Sequence, residues 1–335
     1  MFDGVVTTLA GQTGLSEDVT RFLVAFLAEI PVALLTRLVP NVPALKHLLF
    51  GLIGILVSFF VYGNYTYLVF VTMIPVYLIM RLSPNRLGAR ISFVVCFGFL
   101  LVLHAYRMAT DYLGYTLDFS SVQMVLTIKF TTFAWSVSNA NDPTYVCSKH
   151  TEAHKIMRLP TPLEFFGFTF FFPAFFSGPS LEFRNYMDFI TMDQFEVFGK
   201  HYPPLDLKKI AEIVVLILVM TGLFFGLGSI HLDQLYHFYV IDNASSTLLV
   251  VKLLFIYLFI EFIKLRYYLT WKFAELLGVL LGFGFSGMVD NKPTWNAFCN
   301  VKIWNMETAR ALRDIVSNWN IQTETWLRYC LRSPE

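Results

Sequence analysis

One long stretch of the chain, residues 48–80, contains no charged side chain, and this feature constrains the fold more than any other. A helix that crosses the hydrocarbon core of a bilayer needs about 20 mainly apolar residues, so the stretch is too long for a single span. Gly63 and Asn64 interrupt it. We therefore predict two spanning helices that are joined by a tight turn at this point.

The composition of the whole chain also indicates a membrane protein. The sequence is 56% hydrophobic and 15% charged, with a mean hydropathy of +0.58, whereas a typical soluble domain carries about 25% charged residues. There are 25 Lys+Arg against 24 Asp+Glu, which gives a formal net charge of +1. Such a balance produces no basic field that would attract nucleic acid. We predict the lipid bilayer, and no nucleic acid, among the partners.

Further apolar segments predict an all-α, polytopic integral membrane bundle of about eight or nine membrane helices. In addition to the first stretch, the candidate spans are residues 21–38, 91–106, 120–137, 165–181, 213–232, 245–260 and 268–289. We expect the segment around Lys129 to be only partly inserted. The chain then divides into an N-terminal tail (residues 1–20), the membrane bundle (21–289) and a polar, amphipathic segment (290–335).

The longest polar connection, residues 139–162, contains two histidines at a spacing that metal ligands also show. His150 and His154 are four residues apart, so they share one face if the segment is helical. The sequence shows no third ligand nearby, and solvated loop histidines are far more common than ligands. The four cysteines are far apart and match no metal-ligand or redox spacing. We therefore predict no metal site.

Ionisable residues are concentrated near the start of the last apolar segment, where burial makes them functional candidates. Tyr268, Trp271 and Glu275 recur at spacings of three and four, so they lie on one face of a helix. We expect this face to point to the bundle interior or to a water-filled cavity. The alternative is a buried ion pair between Glu275 and either Lys272 or Lys264.

A phenylalanine-rich stretch, residues 165–181, is typical of a lipid-facing or packing surface of a membrane helix. Gly178 and Pro179 are expected to end that helix. The polar residues that follow, Glu182 and Tyr186 among them, are then predicted to form an anchor at the membrane interface.

The polar segment at the end of the chain contains four of the six tryptophans. Asn305 is a suitable N-cap for a helix that begins at Met306. Apolar residues at helical spacing continue to Trp319, and Trp326 shares that stripe if the helix continues. Asn320 would then be rotated from the stripe by about 100°. Its side chain either binds a substrate carbonyl or hydroxyl or satisfies backbone groups.

Five segments resemble motifs of the membrane-bound O-acyltransferase family, and they occur along the chain in the same order as in that family. The sequence WNIQTETWL at residues 319–327 resembles its WNxxxxxWL signature. The other four segments resemble motifs of the lysophospholipid acyltransferase branch and its fungal-type members: KFTTFAWS at 129–136, GPSLEFRNY at 178–186, YYLTWKFAE at 267–275 followed by GFGFSG at 282–287, and WNAFCNV at 295–301. The resemblance as a whole covers about residues 20–330, and the five segments lie between residues 129 and 327.

This resemblance implies a multi-pass enzyme of the endoplasmic reticulum membrane. Such an enzyme moves a fatty acyl chain from acyl-CoA, its co-substrate, to the free hydroxyl of a lysophospholipid and uses no cofactor. Carried over to this sequence, Asn320 is the catalytic asparagine, which polarises or positions a reacting group. Trp271, Glu275, Trp319 and Trp326 line or support the substrate-binding cavity. In the family a histidine acts as the general base on the acceptor hydroxyl.

The sequence departs from the family pattern at that histidine. The family's histidine follows the asparagine by a few dozen residues, whereas all seven histidines of this chain precede Asn320. His231 is the best-placed substitute, but a chain truncated before the catalytic histidine is the favoured explanation. We therefore expect the 335-residue chain on its own to transfer little or no acyl group. The alternative function is that of a non-catalytic lipid-binding or transporter-like membrane protein.

Overall fold

A computed structural model of the chain describes residues 2–112, 118–142, 148–176, 178–243 and 245–331. Regular structure in these residues is almost entirely helical, and the predicted all-α class is confirmed. The α-helices are α1 (Phe2–Thr13), α2 (Glu17–Thr36), α3 (Pro43–Tyr62), α4 (Val69–Leu82), α5 (Arg86–Thr110), α6 (Ser120–Ala140), α7 (Lys149–Ala153), α8 (Pro162–Thr169), α9 (Phe183–Ile190), α10 (Leu207–Ser229), α11 (Leu232–Tyr236), α12 (Leu249–Leu281), α13 (Ile303–Glu307), α14 (Leu312–Asn318) and α15 (Ile321–Trp326).

Shorter elements connect these helices. Three 3₁₀ segments lie at Gly63–Leu68, Phe172–Ala174 and Asp193–Phe198, and two π-helical segments lie at His237–Asp242 and Leu327–Leu331. Two short strands, β1 (Gly287–Val289) and β2 (Lys292–Thr294), pair in antiparallel register. The predicted N-terminal tail contains α1 and the beginning of α2.

Four regions of the described residues are long and apolar enough to cross a membrane: Glu17–Thr36, Pro43–Leu82, Arg86–Thr110 and Leu207–Ser229. The predicted number of eight or nine membrane helices is therefore not confirmed. The second region contains α3, a 3₁₀ turn and α4. Gly63 ends α3 with a φ of 56°, a conformation that glycine adopts without strain, so the turn predicted there is confirmed.

The phenylalanine-rich stretch is a core segment, and the prediction of a membrane helix over residues 165–181 is wrong. The helix α8 ends at Thr169, and a short 3₁₀ turn at Phe172–Ala174 follows. The rings of this stretch pack against one another and are buried: Phe165, Phe168, Phe170, Phe171, Phe172, Phe175 and Phe176. The segment fits closely against α3 because Gly51 and Gly54 have no side chain there; a Cβ on Gly54 would overlap the carbonyl oxygen of Phe170.

The predicted interfacial anchor after this stretch is also wrong at Tyr186. This side chain is fully buried, and its hydroxyl is hydrogen-bonded to Nδ1 of His47 at 2.9 Å. The backbone of His47 lies against Gly167, where a Cβ would overlap the Tyr186 hydroxyl oxygen. Tyr186 therefore joins α9 to α3 and α8 inside the protein.

Lys129 lies inside the protein and binds the end of a helix. Its side chain is fully buried in α6 and donates hydrogen bonds to the carbonyl oxygens of Phe168 (2.7 Å) and Thr169 (3.1 Å). These carbonyls belong to the last turn of α8, which has no further intrahelical donors. A cation at the negative end of the helix dipole compensates part of the cost of burying the charge.

Most of the two predicted membrane segments, residues 245–260 and 268–289, lies in one helix, α12. The charges between them do not interrupt the helix, because Lys264 pairs with Glu261 one turn earlier and with Glu307 of α13, both at 2.7 Å. The helix ends at Gly282 with a φ of 96°, so the extension predicted to residue 289 is wrong.

Candidate functional site

A cavity of about 720 Å³ is lined by residues of α5, α6 and α12, by the segment after the phenylalanine-rich stretch and by the last part of the described chain. We call it the central cavity. Its lining is mainly apolar and aromatic: Phe22, Phe97, Leu100, Ser121, Met124, Val125, Thr127, Ile128, Phe176, Gly178, Pro179, Ser180, Arg266, Tyr267, Thr270, Trp271, Asn300, Trp319, Asn320, Thr323 and Trp326. Four of the five predicted site residues are in this lining, namely Asn320, Trp271, Trp319 and Trp326.

The helix predicted to begin at Met306 after an Asn305 cap and to reach Trp319 is wrong, because Asn305 lies inside α13 and α13 ends at Glu307, before α14 begins. The conditional continuation to Trp326 is also interrupted, and this second break places Asn320 at the central cavity. The chain forms α14, becomes extended at Trp319 and adopts a left-handed conformation at Asn320 (φ 50°, ψ 53°) before α15 begins. Asparagine tolerates this conformation better than most residues. The extended segment pairs with Val301, which forms an isolated β-bridge to Trp319. This pairing interrupts the helix.

Hydrogen bonds fix the orientation of the Asn320 amide. The backbone N–H of Gln322 donates to Oδ1 of Asn300 (3.0 Å), so the other atom of the Asn300 amide is its nitrogen. That nitrogen donates to Oδ1 of Asn320 (3.2 Å). The Asn320 nitrogen Nδ2 is therefore left as a donor, and no hydrogen bond from it to the described residues is formed. Such a donor can stabilise negative charge that develops on a substrate oxygen.

Trp319 is held by three aromatic rings of α12. Its ring centroid lies 4.9 Å from that of Trp271 and 5.6 Å from those of Tyr267 and Tyr268, each in an edge-to-face arrangement. Edge-to-face pairs contribute about 0.5–1.5 kcal/mol each beyond their burial. The predicted face of Tyr268 and Trp271 on α12 therefore fixes the backbone that carries Asn320.

Trp326 forms another part of the wall of the central cavity. Its indole nitrogen donates to Oγ1 of Thr131 in α6 (3.0 Å), and its ring stacks on Phe97 of α5 with 6.0 Å between centroids. Trp319 and Trp326 thus line one cavity, although they do not lie on one helix.

Glu275 lies outside the lining, in the ion pair that the sequence left as an alternative. Its carboxylate is 2.5 Å from Nζ of Lys272 and 3.1 Å from Nζ of Lys209 in α10. Lys272 also donates to the carbonyl of Val301 (3.4 Å), the partner of Trp319 in the β-bridge. The cluster connects α10 and α12 to the segment that carries Asn300.

Sequence reasoning missed Asn300 and Arg266 as residues of the site. Asn300 is buried and lies in a segment that already resembled the family, but its contact with Asn320 depends on the fold. Arg266 is the one cationic residue among the described lining residues. Its guanidinium lies over the rings of Phe262 in α12 at 5.1 Å and Phe224 in α10 at 5.8 Å, which keeps it between these two helices.

No aspartate, glutamate, histidine or cysteine is found among the described residues that line the central cavity. Cys299 is next to Asn300, but burial and then the nearby charge of Glu275 raise the pKa of its thiol. A reactive cysteine needs a lowered pKa. The described lining therefore offers a hydrogen-bond donor and an apolar volume, and no ordinary general base.

The prediction that His150 and His154 have no third ligand nearby is wrong. Glu182 lies beside both histidines, and one ligand atom from each of the three side chains lies within 4.8 Å of the others. The carboxylate comes from the segment between Pro179 and α9, which the sequence did not relate to the histidines.

These features define a helical protein with candidate membrane spans and a large, mainly apolar cavity, and comparisons with known proteins identify the family. The sequence profile of the membrane-bound O-acyltransferase family matches residues 89–330. Membrane-bound glycerophospholipid O-acyltransferase 1 of Mus musculus is 30% identical over 305 residues, which is 85% of this chain and 61% of that protein. Lysophospholipid acyltransferase of Schizosaccharomyces pombe is 26% identical over 94% of this chain and 62% of its own length.

A third relative, lysophospholipid acyltransferase 6 of Drosophila melanogaster, is 26% identical over 96% of this chain and 47% of its own length. The chain belongs to the membrane-bound O-acyltransferase family, since the profile matches well over half of it. The resemblance predicted from the five ordered segments is confirmed. The chain spans 47% to 62% of the lengths of these three relatives.

Proposed function

We propose that the chain forms the acyl-transfer site of a lysophospholipid acyltransferase, in which a fatty acyl chain moves from acyl-CoA to the free hydroxyl of a lysophospholipid. The proposal rests mainly on the orientation of the Asn320 amide, whose nitrogen is left as a donor at the wall of a large apolar cavity. The family and the names of the relatives support the same reaction class.

The reaction follows from the chemistry of the thioester. The acceptor hydroxyl oxygen attacks the carbonyl carbon, the C–S bond breaks, and the coenzyme A thiolate leaves and takes up the proton that the hydroxyl loses. Negative charge develops on the carbonyl oxygen, where Nδ2 of Asn320 donates a hydrogen bond. The apolar lining takes the acyl chain, and Arg266 offers a positive charge to a phosphate group.

The described lining offers no residue that could act as the general base and accept the proton of the attacking hydroxyl. Without a base, the attacking hydroxyl keeps its proton until late in the reaction, and positioned proton transfer typically contributes about 10²–10⁴-fold. We therefore expect the 335-residue chain on its own to bind both substrates and to transfer the acyl group slowly or not at all.

Chemical rescue tests this proposal. The full chain is reconstituted with labelled acyl-CoA and a lysophospholipid, and labelled phospholipid is measured with and without added imidazole as an external base. We expect imidazole to raise the rate, and Asn320→Ala to lower the rescued rate about 10²–10³-fold, as the loss of one oxyanion donor does. The control is Asn296→Ala, an exposed asparagine outside the lining of the central cavity.

Rescue that does not depend on Asn320 would contradict the role of its amide. Robust transfer without imidazole would contradict the account of the missing base. The lack of a base in the described lining also favours the second candidate function, lipid binding without transfer. That function predicts saturable lysophospholipid binding, with no product under any of these conditions.

The location in the endoplasmic reticulum membrane, which the resemblance implies, is part of the proposal. The four apolar regions support a multi-pass membrane protein. Co-localisation of a fluorescently tagged chain with a marker of that membrane tests the location, and accumulation in another membrane would contradict it.

A further inference from the structure

Two histidines and a glutamate converge on a small cavity behind Trp326. His150 lies in α7, His154 follows that helix, and Glu182 precedes α9. Nε2 of His150 is 2.9 Å from one carboxylate oxygen of Glu182, and Nε2 of His154 is 3.3 Å from the other. The side chains are largely buried, with 27%, 18% and 13% exposed in the order His150, His154, Glu182.

The cavity that these side chains line has a volume of about 20 Å³. A site needs about 10–15 Å³ to hold one water-sized occupant, so the cavity has room for a single ion. Trp326 and Tyr329 line its other side. Trp326 also lines the central cavity, so the two cavities share one wall.

Hydrogen bonding sets the state of the His154 ring. Nδ1 of His154 is 2.7 Å from the backbone carbonyl oxygen of His150, and a carbonyl only accepts, so Nδ1 carries the proton and donates. In a neutral ring, Nε2 then has a lone pair, and it faces the acceptor oxygens of Glu182 and Asn185 (3.3 and 3.1 Å). A cation between the ring and the carboxylate resolves this conflict, as a second proton on the ring would.

We propose that His150, His154 and Glu182 bind a divalent transition metal ion, with zinc as the best match. Two imidazole nitrogens and a carboxylate oxygen are a ligand set that zinc takes in proteins. Tetrahedral ligands at about 2.0–2.1 Å from zinc are separated by about 3.4 Å. The two histidine nitrogens here lie 2.9 and 3.3 Å from the two Glu182 carboxylate oxygens, and one ligand atom from each side chain lies within 4.8 Å of the others, so small side-chain movements bring the three ligands to an ion. The Nδ1–H of His154 donates to a backbone carbonyl, the outer contact that metal-bound histidines usually make.

The ion would fix one wall of the central cavity. It joins the segment around α7 to the residues that follow Gly178 and Pro179, and the ring of Tyr329 stacks on His150 with 4.1 Å between centroids. Tyr329 follows Trp326 by three residues. The ion would therefore fix the His150 ring against which the chain next to Trp326 packs. This role is independent of the acyl transfer proposed above.

Metal content of the purified chain tests the proposal without an activity assay. The full chain is purified in detergent, equilibrated with zinc, freed of excess metal and analysed by mass spectrometry for zinc. We expect about one zinc per chain in the wild type, and an affinity at least about tenfold lower in His154→Gln and in Glu182→Gln. The matched control is His201→Gln, an exposed histidine outside the cluster, which is expected to retain the zinc.

Cobalt(II) in the unchanged chain provides a measurement that needs no variant. We expect the absorption bands of a four-coordinate cobalt site with nitrogen and oxygen ligands, and their loss when zinc is added. The proposal is overturned if the wild type retains no more zinc than His154→Gln, or if cobalt shows only the spectrum of the hydrated ion. Either result leaves the cluster as a hydrogen-bonded group of Glu182 and the two histidines that binds no metal.

Discussion

Replacement of Asn300 by aspartate tests whether the Asn320 amide is aimed into the central cavity. The carboxylate of Asn300→Asp still accepts the hydrogen bond from the Gln322 N–H, but it has no proton to donate to Oδ1 of Asn320. The Asn320 amide is then expected to flip, so that Nδ2 donates to the new carboxylate. Its oxygen would face the substrate carbonyl in place of its nitrogen.

The magnitude follows from the hydrogen bond that is lost. A net hydrogen bond contributes about 0.5–1.5 kcal/mol, and a buried acceptor left without a donor costs about 1–3 kcal/mol. We therefore expect Asn300→Asp to bind acyl-CoA about 5- to 150-fold more weakly than the wild type does. An S-alkyl-CoA thioether of equal chain length has no carbonyl, so it is expected to bind both proteins equally.

Calorimetric dissociation constants for the two ligands and two proteins form a cycle that isolates this hydrogen bond. Asn320→Ala is expected to show the same selective loss for acyl-CoA, and the exposed Asn296→Asp is the control. If Asn300→Asp weakened the thioester and the thioether by the same factor, or neither of them, the assigned amide orientation would be refuted.

Two further predictions concern the scaffold and are measured as changes in unfolding free energy in detergent. Gly54→Ala places a Cβ against a backbone carbonyl and is expected to cost about 1–3 kcal/mol. The control Gly98→Ala has open space around its Cβ and is expected to stabilise α5 by up to about 1 kcal/mol. Equal effects of the two substitutions would contradict the close packing on α3. Glu275→Gln leaves Lys272 without its carboxylate and is expected to cost about 3–5 kcal/mol, and a loss no larger than that of the exposed Glu212→Gln would contradict the buried ion pair.

Local signals in the sequence predicted much of α3, α4 and α12. The first signal is the glycine at the break after residue 62, and the second is the helical spacing of Tyr268, Trp271 and Glu275. Both signals are local in the sequence, so they can be recognised without knowledge of the fold. The structure of the phenylalanine-rich stretch could not be predicted in this way, because a ring that faces lipid and a ring that faces the protein interior produce the same sequence pattern. Gly51 and Gly54 allow the stretch to pack closely on α3, and this role is apparent only from the packing of α3 on α8.

The candidate site shows the same limit. The resemblance identified Asn320, but the amide orientation depends on Asn300, which is 20 residues earlier in the chain and in contact through a bridge between Val301 and Trp319. Helical spacing predicted one stripe through Trp319, whereas this nonlocal pairing breaks the helix. The sequence also gave no reason to bring Glu182 to the two histidines, since 28 residues separate it from the second of them.

Photo-crosslinking tests the central claim, that the central cavity holds the acyl chain of the substrate, most directly. The full chain is reconstituted in nanodiscs with an acyl-CoA that carries a diazirine in its acyl chain, and labelled peptides are identified by mass spectrometry. Excess unlabelled acyl-CoA separates specific labelling from labelling of lipid-facing surfaces. Ile128→Trp fills the cavity, and Val94→Trp, on an exposed face of α5, is the matched control.

The account predicts competed labelling at Met124 and Ile128 of α6, retained in Val94→Trp and lost in Ile128→Trp. Competed labelling that maps to the exposed faces of α5 and α10, or that Ile128→Trp leaves unchanged, would contradict the assignment of the cavity.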